Sequence, residues 1–176
     1  MFFTLLAFFN AQAYPSGDPR RTKLIADTHV FKRYHSDINK YKNKNQVDWP
    51  QNTTLDIQIC NGAITEQQAI LARNFWNNKP TKNKIKNIYN TSNCEPNKRS
   101  DRNTILITRQ DSYIKRQSQW GVEITYSNTK EIAYSYIELH PNIPQKLIQS
   151  IITHEIGHSL GYAHCHDCRY DDIMHH

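Results

Sequence analysis

Residues 154–164 read HEIGHSLGYAH, bringing three imidazoles and a carboxylate into one short stretch. Positions four apart on a helix lie one turn apart on the same face, so His154 and His158 can aim their rings at one point. A tetrahedral metal that keeps one position open needs a third protein ligand. A helix continuing unbroken would carry His164 away, whereas Gly161 permits the sharp turn that swings it back. The implied chemistry is hydrolysis assisted by one catalytic Zn2+ ion. Zinc lowers the pKa of bound water towards roughly 7, and Glu155, directly after the first ligand, is placed to take that proton and deliver it to a leaving amine. These five fixed positions arise by chance on the order of once in 10⁵ such chains, which sets aside the bland alternative of surface histidines on an amphipathic helix.

The motif needs a helix, and the flanking residues supply one. Pro144 suits a first turn, and Leu147, Ile148, Ile151 and Ile152 form an apolar face on a helix running to Leu160. Upstream, Thr54–Cys60 alternates Leu55, Ile57 and Ile59 with polar residues, as a half-buried strand does. Thr65-Glu66-Gln67-Gln68 is a capping box, opening a helix with Ala69, Ala72 and Trp76 at helical spacing, which Lys79-Pro80 ends. Further strands are expected at Ile85–Tyr89, Thr104–Thr108, Val122–Tyr126 and Ile132–Leu139, the last two flanking a turn at Ser127–Lys130. This order reads as an α+β fold, a mixed five-stranded twisted sheet with two main helices. A right-handed crossover sets the first two strands side by side and parallel, leaving Cys60 and Cys94 just beyond neighbouring strand ends and pointing to a Cys60–Cys94 disulfide.

The 176 residues suit one domain with a short appendage. The net charge of +6 is scattered through Asn-rich polar stretches without a basic stripe interleaved with aromatics, so no nucleic-acid partner is expected. Residues 1–13 combine the apolar run Phe2–Phe9 with the small-x-small triplet Ala11-Gln12-Ala13, the form of a signal peptide, with an apolar strand or a buried arm as the alternative, and no segment is expected to span a membrane. Four cysteines agree with a secreted or extracytoplasmic location, as do the sequons Asn52-Thr53-Thr54 and Asn90-Thr91-Ser92 in a eukaryotic host. Residues 14–52 read as a pro-segment or irregular extension, and 53–176 as the catalytic domain, a monomer.

Around the histidines the chain resembles the metzincin clan of zinc peptidases, whose pattern is HExxHxxGxxH followed by a methionine turn. Met174, within Asp171-Asp172-Ile173-Met174-His175, stands where that turn is expected, and the loop length and Ile-Met pair are most similar to the matrixin branch. The resemblance implies a metzincin-like zincin fold, a short C-terminal subdomain ending at the Met-turn, and an apolar floor of Met174 beneath the imidazoles. It also implies that the strand Trp120–Tyr126, including Gly121, Val122, Glu123 and Ile124, binds a protein or peptide substrate in extended form along an unpaired edge.

Several positions depart from the family. Cys165 stands where matrixins usually have Ser, no cysteine-switch motif precedes Cys60, and the chain ends at His176 without the usual C-terminal helix. Asp18 fits an ordinary turn after Pro15 better than an astacin-type aspartate switch, and His176 occupies the place of the astacin oxyanion tyrosine. Cys165 and Cys168 suit a local disulfide in an exported chain, with a second metal or redox chemistry involving His166 as the alternative. The expected function is an exported zinc-dependent endopeptidase. A zinc-binding secreted interaction module with little or no turnover is the alternative from another class, and a non-peptide amide hydrolase is a third.

Overall fold

The computed structural model describes residues 8–13, 48–95, 102–110, 114, 120–127, 131–165 and 172–174, with 8–13 known by backbone only. Asp18, His166, Cys168, His175, His176, the turn residues 128–130 and residues 14–47 lie outside these. The elements are β1 (Phe8–Ala13), β2 (Thr54–Cys60), α1 (Glu66–Asn77), β3 (Lys84–Thr91), β4 (Thr104–Arg109), β5 (Gly121–Ser127), β6 (Ile132–Leu139) and α2 (Gln145–Ser159).

The sheet runs β1-β5-β6-β4-β2-β3. Its inner pairs β3–β2, β2–β4 and β4–β6 are parallel, whereas β5 is antiparallel to β6. The α+β class, the mixed five-strand core and the parallel pairing of the first two of those strands match the sequence reading. One strand more is present than expected. Phe8–Ala13, within the segment read as a signal peptide, pairs antiparallel with β5, so the β5 edge expected to be unpaired is covered in the intact chain.

The elements form for local reasons. Thr65 Oγ1 accepts the Gln68 N–H while Gln68 Oε1 accepts the Thr65 N–H, completing the capping box that starts α1. Leu55, Ile57 and Ile59 of β2 and Ile105, Leu106 and Ile107 of β4 are fully buried, as central parallel strands require. The buried residues of α2 extend well beyond the expected stripe: from Leu147 to Ser159 only Gln149 is not buried. An element this enclosed is held by neighbours on nearly all sides rather than by one amphipathic face.

Two tryptophans fix α2 from distant parts of the chain. Trp49 Nε1 donates to the Ser159 carbonyl at 2.6 Å, and Trp76 Nε1 donates to the Thr153 carbonyl at 2.7 Å. Trp49 belongs to the stretch read as an extension, yet it is buried, and the neighbouring Asp48 carbonyl accepts the Ile132 N–H. The packed body therefore includes Asp48–Pro50. The Cys60–Cys94 disulfide forms as expected, with Cα atoms 5.4 Å apart. Cys60 packs with Leu106, Val122, Ile124 and Tyr136 in a cluster separate from the one that contains the helices, so the bridge braces the sheet rather than the histidine site.

Candidate metal centre

His154 and His158 lie one turn apart on α2, and their Nε2 atoms are 2.9 Å apart. The helix stops at Ser159. Gly161 then adopts φ +91°, in the left-handed region that favours glycine, and its N–H bonds the His158 carbonyl. The chain reverses there and returns His164 to the first two histidines, its Nε2 3.1 Å from that of His154 and 3.2 Å from that of His158. The geometric role read for Gly161 is thus present.

Each helical imidazole is oriented through its other nitrogen. His154 Nδ1 lies 2.6 Å from the Ile173 carbonyl, and His158 Nδ1 lies 2.6 Å from the Tyr162 carbonyl. A carbonyl only accepts, so both Nδ1 atoms carry a proton, and in the neutral rings both Nε2 atoms present lone pairs to the shared point. Lone pairs facing one another at such separations repel unless a cation lies among them. Ligand bonds of about 2.0–2.1 Å in a tetrahedral arrangement set nitrogens roughly 3.3 Å apart, so the observed triangle is slightly contracted but of the right size. Carbonyl-anchored imidazoles are also the usual outer support of histidine metal sites. His154, His158 and His164 can hold a metal ion.

The other expected site residues pack on or near the same helix. Glu155 is wholly buried on α2. Gly121 opens β5 directly against it: a Cβ at Gly121 would stand 2.8 Å from Glu155 Oε1 and 2.8 Å from Ile151 Cγ2. The first residue of β5, second in the expected substrate strand, therefore packs on the expected general base. Trp120 precedes it, its ring edge-on to His140 at 5.4 Å. Val122 and Ile124 belong to the cluster on the other side of the sheet, while Glu123 reaches the α2 side. Glu123 Oε1 accepts from Thr125 and Ser135 at 2.6 Å each, and Ser135 Oγ is 2.7 Å from Ser159 Oγ. Enclosure pushes the Glu123 carboxyl up to about 7, the hydrogen bonds from Ser135 and Thr125 opposing that rise.

Met174 is fully buried below α2, where a Cβ on Gly157 would meet its Sδ at 2.5 Å and Trp76 Cζ2 at 2.5 Å. Its carbonyl accepts the Cys165 N–H, and Asp172 Oδ1 accepts the Met174 N–H, closing the turn on itself. Trp76 also stacks on Tyr162 at 5.2 Å between ring centroids. Cys165 is disulfide-bonded, while Cys168, its expected partner, lies outside the described residues.

No family model, curated protein or solved structure matches the chain.

The spacing of the sequence motif, with the turn at Gly161, brings together His154, His158 and His164, while Glu155 lies buried on the same helix and Met174 packs close to its Gly157. Trp49, Trp76, Gly157 and Asp172 are further structural parts that the motif alone does not expose. Gly157 had a visible signal, since a glycine inside an otherwise apolar helix commonly marks close packing. Trp49 had none, because its partner is a backbone carbonyl 110 positions away.

Proposed function

We propose that this chain is an exported zinc-dependent endopeptidase of metzincin type. The observation that carries this reading is the convergence of three Nε2 atoms, two of them on rings held through carbonyl-anchored Nδ1 atoms, on the helix that also carries the buried Glu155 and at the turn that follows it. His154, His158 and His164 are the protein ligands of the ion. Zinc bound there supplies Lewis acidity, lowering the pKa of water and polarising a carbonyl.

The chain's own residues supply orientation and proton transfer. Glu155 takes the proton of the attacking water and passes it to the departing amine, a contribution of about 10²–10⁴ in rate. Gly121, having no side chain, lets the β5 backbone approach that carboxylate closely. A polypeptide running along β5 offers backbone N–H and C=O groups to the strand and so approaches Glu155 in extended form. This favours a peptide substrate over a small amide. Met174, lodged against Gly157, gives the histidine helix an apolar support.

The test is metal content together with cleavage of denatured casein or gelatin, with and without a zinc chelator. One zinc per chain and chelator-sensitive cutting that disappears in Glu155→Gln, with metal retained, are expected. Stoichiometric zinc with no cleavage of any protein would support the interaction module instead.

A further inference from the structure

We propose that Phe8–Ala13 is an internal occupant of the peptide-binding edge and holds the intact chain latent. The strand β1 pairs antiparallel with β5, matching Phe8 to Thr125, Phe9 to Ile124, Gln12 to Val122 and Ala13 to Gly121, with an irregularity between Phe9 and Gln12. Among the described strands, β5 has β6 on one side and β1 on the other. The backbone groups that would pair with an added peptide are therefore engaged by the chain itself.

The direction and end point of β1 make this more than incidental edge protection. Its C-terminal residue, Ala13, is registered on Gly121, the residue whose α-carbon faces Glu155. As the outermost strand of the sheet, β1 also comes close to α2, the helix that carries His154 and His158. A strand here competes with any other extended peptide for the same hydrogen bonds. Joined to the body, it does so at an effective concentration of roughly millimolar, an advantage lost when the connection is cut. Hydrolysis of the bond after Ala13, with water divided between the new carboxylate and amine, would convert a tethered strand into a short free peptide. Removal of the leader and opening of the edge then become one event.

Latency presupposes the peptidase reading above, whereas coverage of the edge does not. The test uses the full chain and a full-length variant with Gln12→Pro and Ala13→Pro. Adjacent strand residues point their N–H groups in opposite directions, so the pair removes whichever one faces β5, and proline is excluded from paired interior positions. Zinc stoichiometry establishes that both chains keep the site. Three readouts follow: cleavage of a soluble peptide, amide exchange across Gly121–Ser127, and binding of a labelled extended peptide. The proline variant is expected to raise kcat/KM at least about tenfold, chiefly through KM, with β5 amides exchanging faster and labelled peptide binding more tightly. Added Phe-Phe-Asn-Ala-Gln-Ala should reverse each change, and a scrambled peptide should not. Equal exchange and equal peptide binding in the two chains overturn the proposal. If neither chain cleaves but breaking β1 increases exchange and binding, coverage of the edge is supported and the peptidase reading is overturned.

Discussion

The α-carbon of Gly121 packs on the side chain of Glu155, leaving no room for a methyl group: a Cβ would lie 2.8 Å from Oε1 and 3.2 Å from Cγ. A strand from the sheet and a carboxylate from the helix thus meet at a point where one added carbon displaces one of them. This contact couples β5, the proposed peptide edge, to Glu155, the proposed proton-transfer group.

Gly121→Ala should therefore impair turnover more than folding. Overpacking of a close contact costs about 1–3 kcal/mol, and a misplaced catalytic group can cost roughly 10²-fold in rate. The expected variant retains one zinc, melts a few degrees lower and loses most of its kcat. A variant with unchanged kcat/KM would show that the carboxylate adjusts freely.

Gly157→Ala probes the support beneath the histidines. The new carbon would meet Met174 Sδ and Trp76 Cζ2 at 2.5 Å, and both side chains are essentially fully buried. A loss of about 2–3 kcal/mol in stability is expected, along with weaker zinc retention during dialysis against a chelator. Denaturant unfolding with and without zinc separates the two effects.

Glu123 gives the protein a pH-dependent stability of defined sign. Its carboxyl is raised from 4.5 to about 7 by burial, so the folded state holds a proton that the unfolded chain has released. The contribution is fully present below pH 4.5 and is lost as pH rises through 7, amounting to a few kcal/mol at most. The Glu123→Gln variant should show a flatter stability profile between about pH 5 and 8. An unchanged slope in urea titrations across that window would remove Glu123 as its source.

The Cys60–Cys94 bridge closes a loop with a sequence separation of 34. Chain-entropy arguments assign about 3–4 kcal/mol to a loop of that size. Since the bridge packs in the cluster away from the helices, the double variant Cys60→Ala, Cys94→Ala should melt lower yet bind zinc normally once folded. Zinc titration below the new melting temperature checks this.

Much of the site was legible because helical geometry is periodic. The four-residue spacing of His154 and His158, and a glycine where the helix must end, dictate a convergence that the structure realises. Strands β2, β4 and β6 were equally readable, since alternation and β-branched runs report burial directly. What sequence could not reveal depends on long-range partners. The indole of Trp49 reads as one aromatic in a polar stretch, and only the fold brings the Ser159 carbonyl to it. The pairing of β1 was hidden for another reason, because an apolar run beside small residues satisfies an export leader and an edge strand alike. Glu123 read as a polar position on a substrate strand. Its burial appears only when Ser135 and Ser159 close around it.

Trp49 also bounds how far the amino-terminal side can be trimmed. Its indole caps the last carbonyl of the helix that bears His154 and His158, immediately before the turn that returns His164. A processing enzyme that stops before Asp48 leaves this capped end intact. One that cuts beyond Trp49 frees the Ser159 carbonyl and empties a buried aromatic site at the end of the helix that carries His154 and His158. The working amino terminus of any matured form is therefore set by an indole over a hundred positions away from the carbonyl it protects.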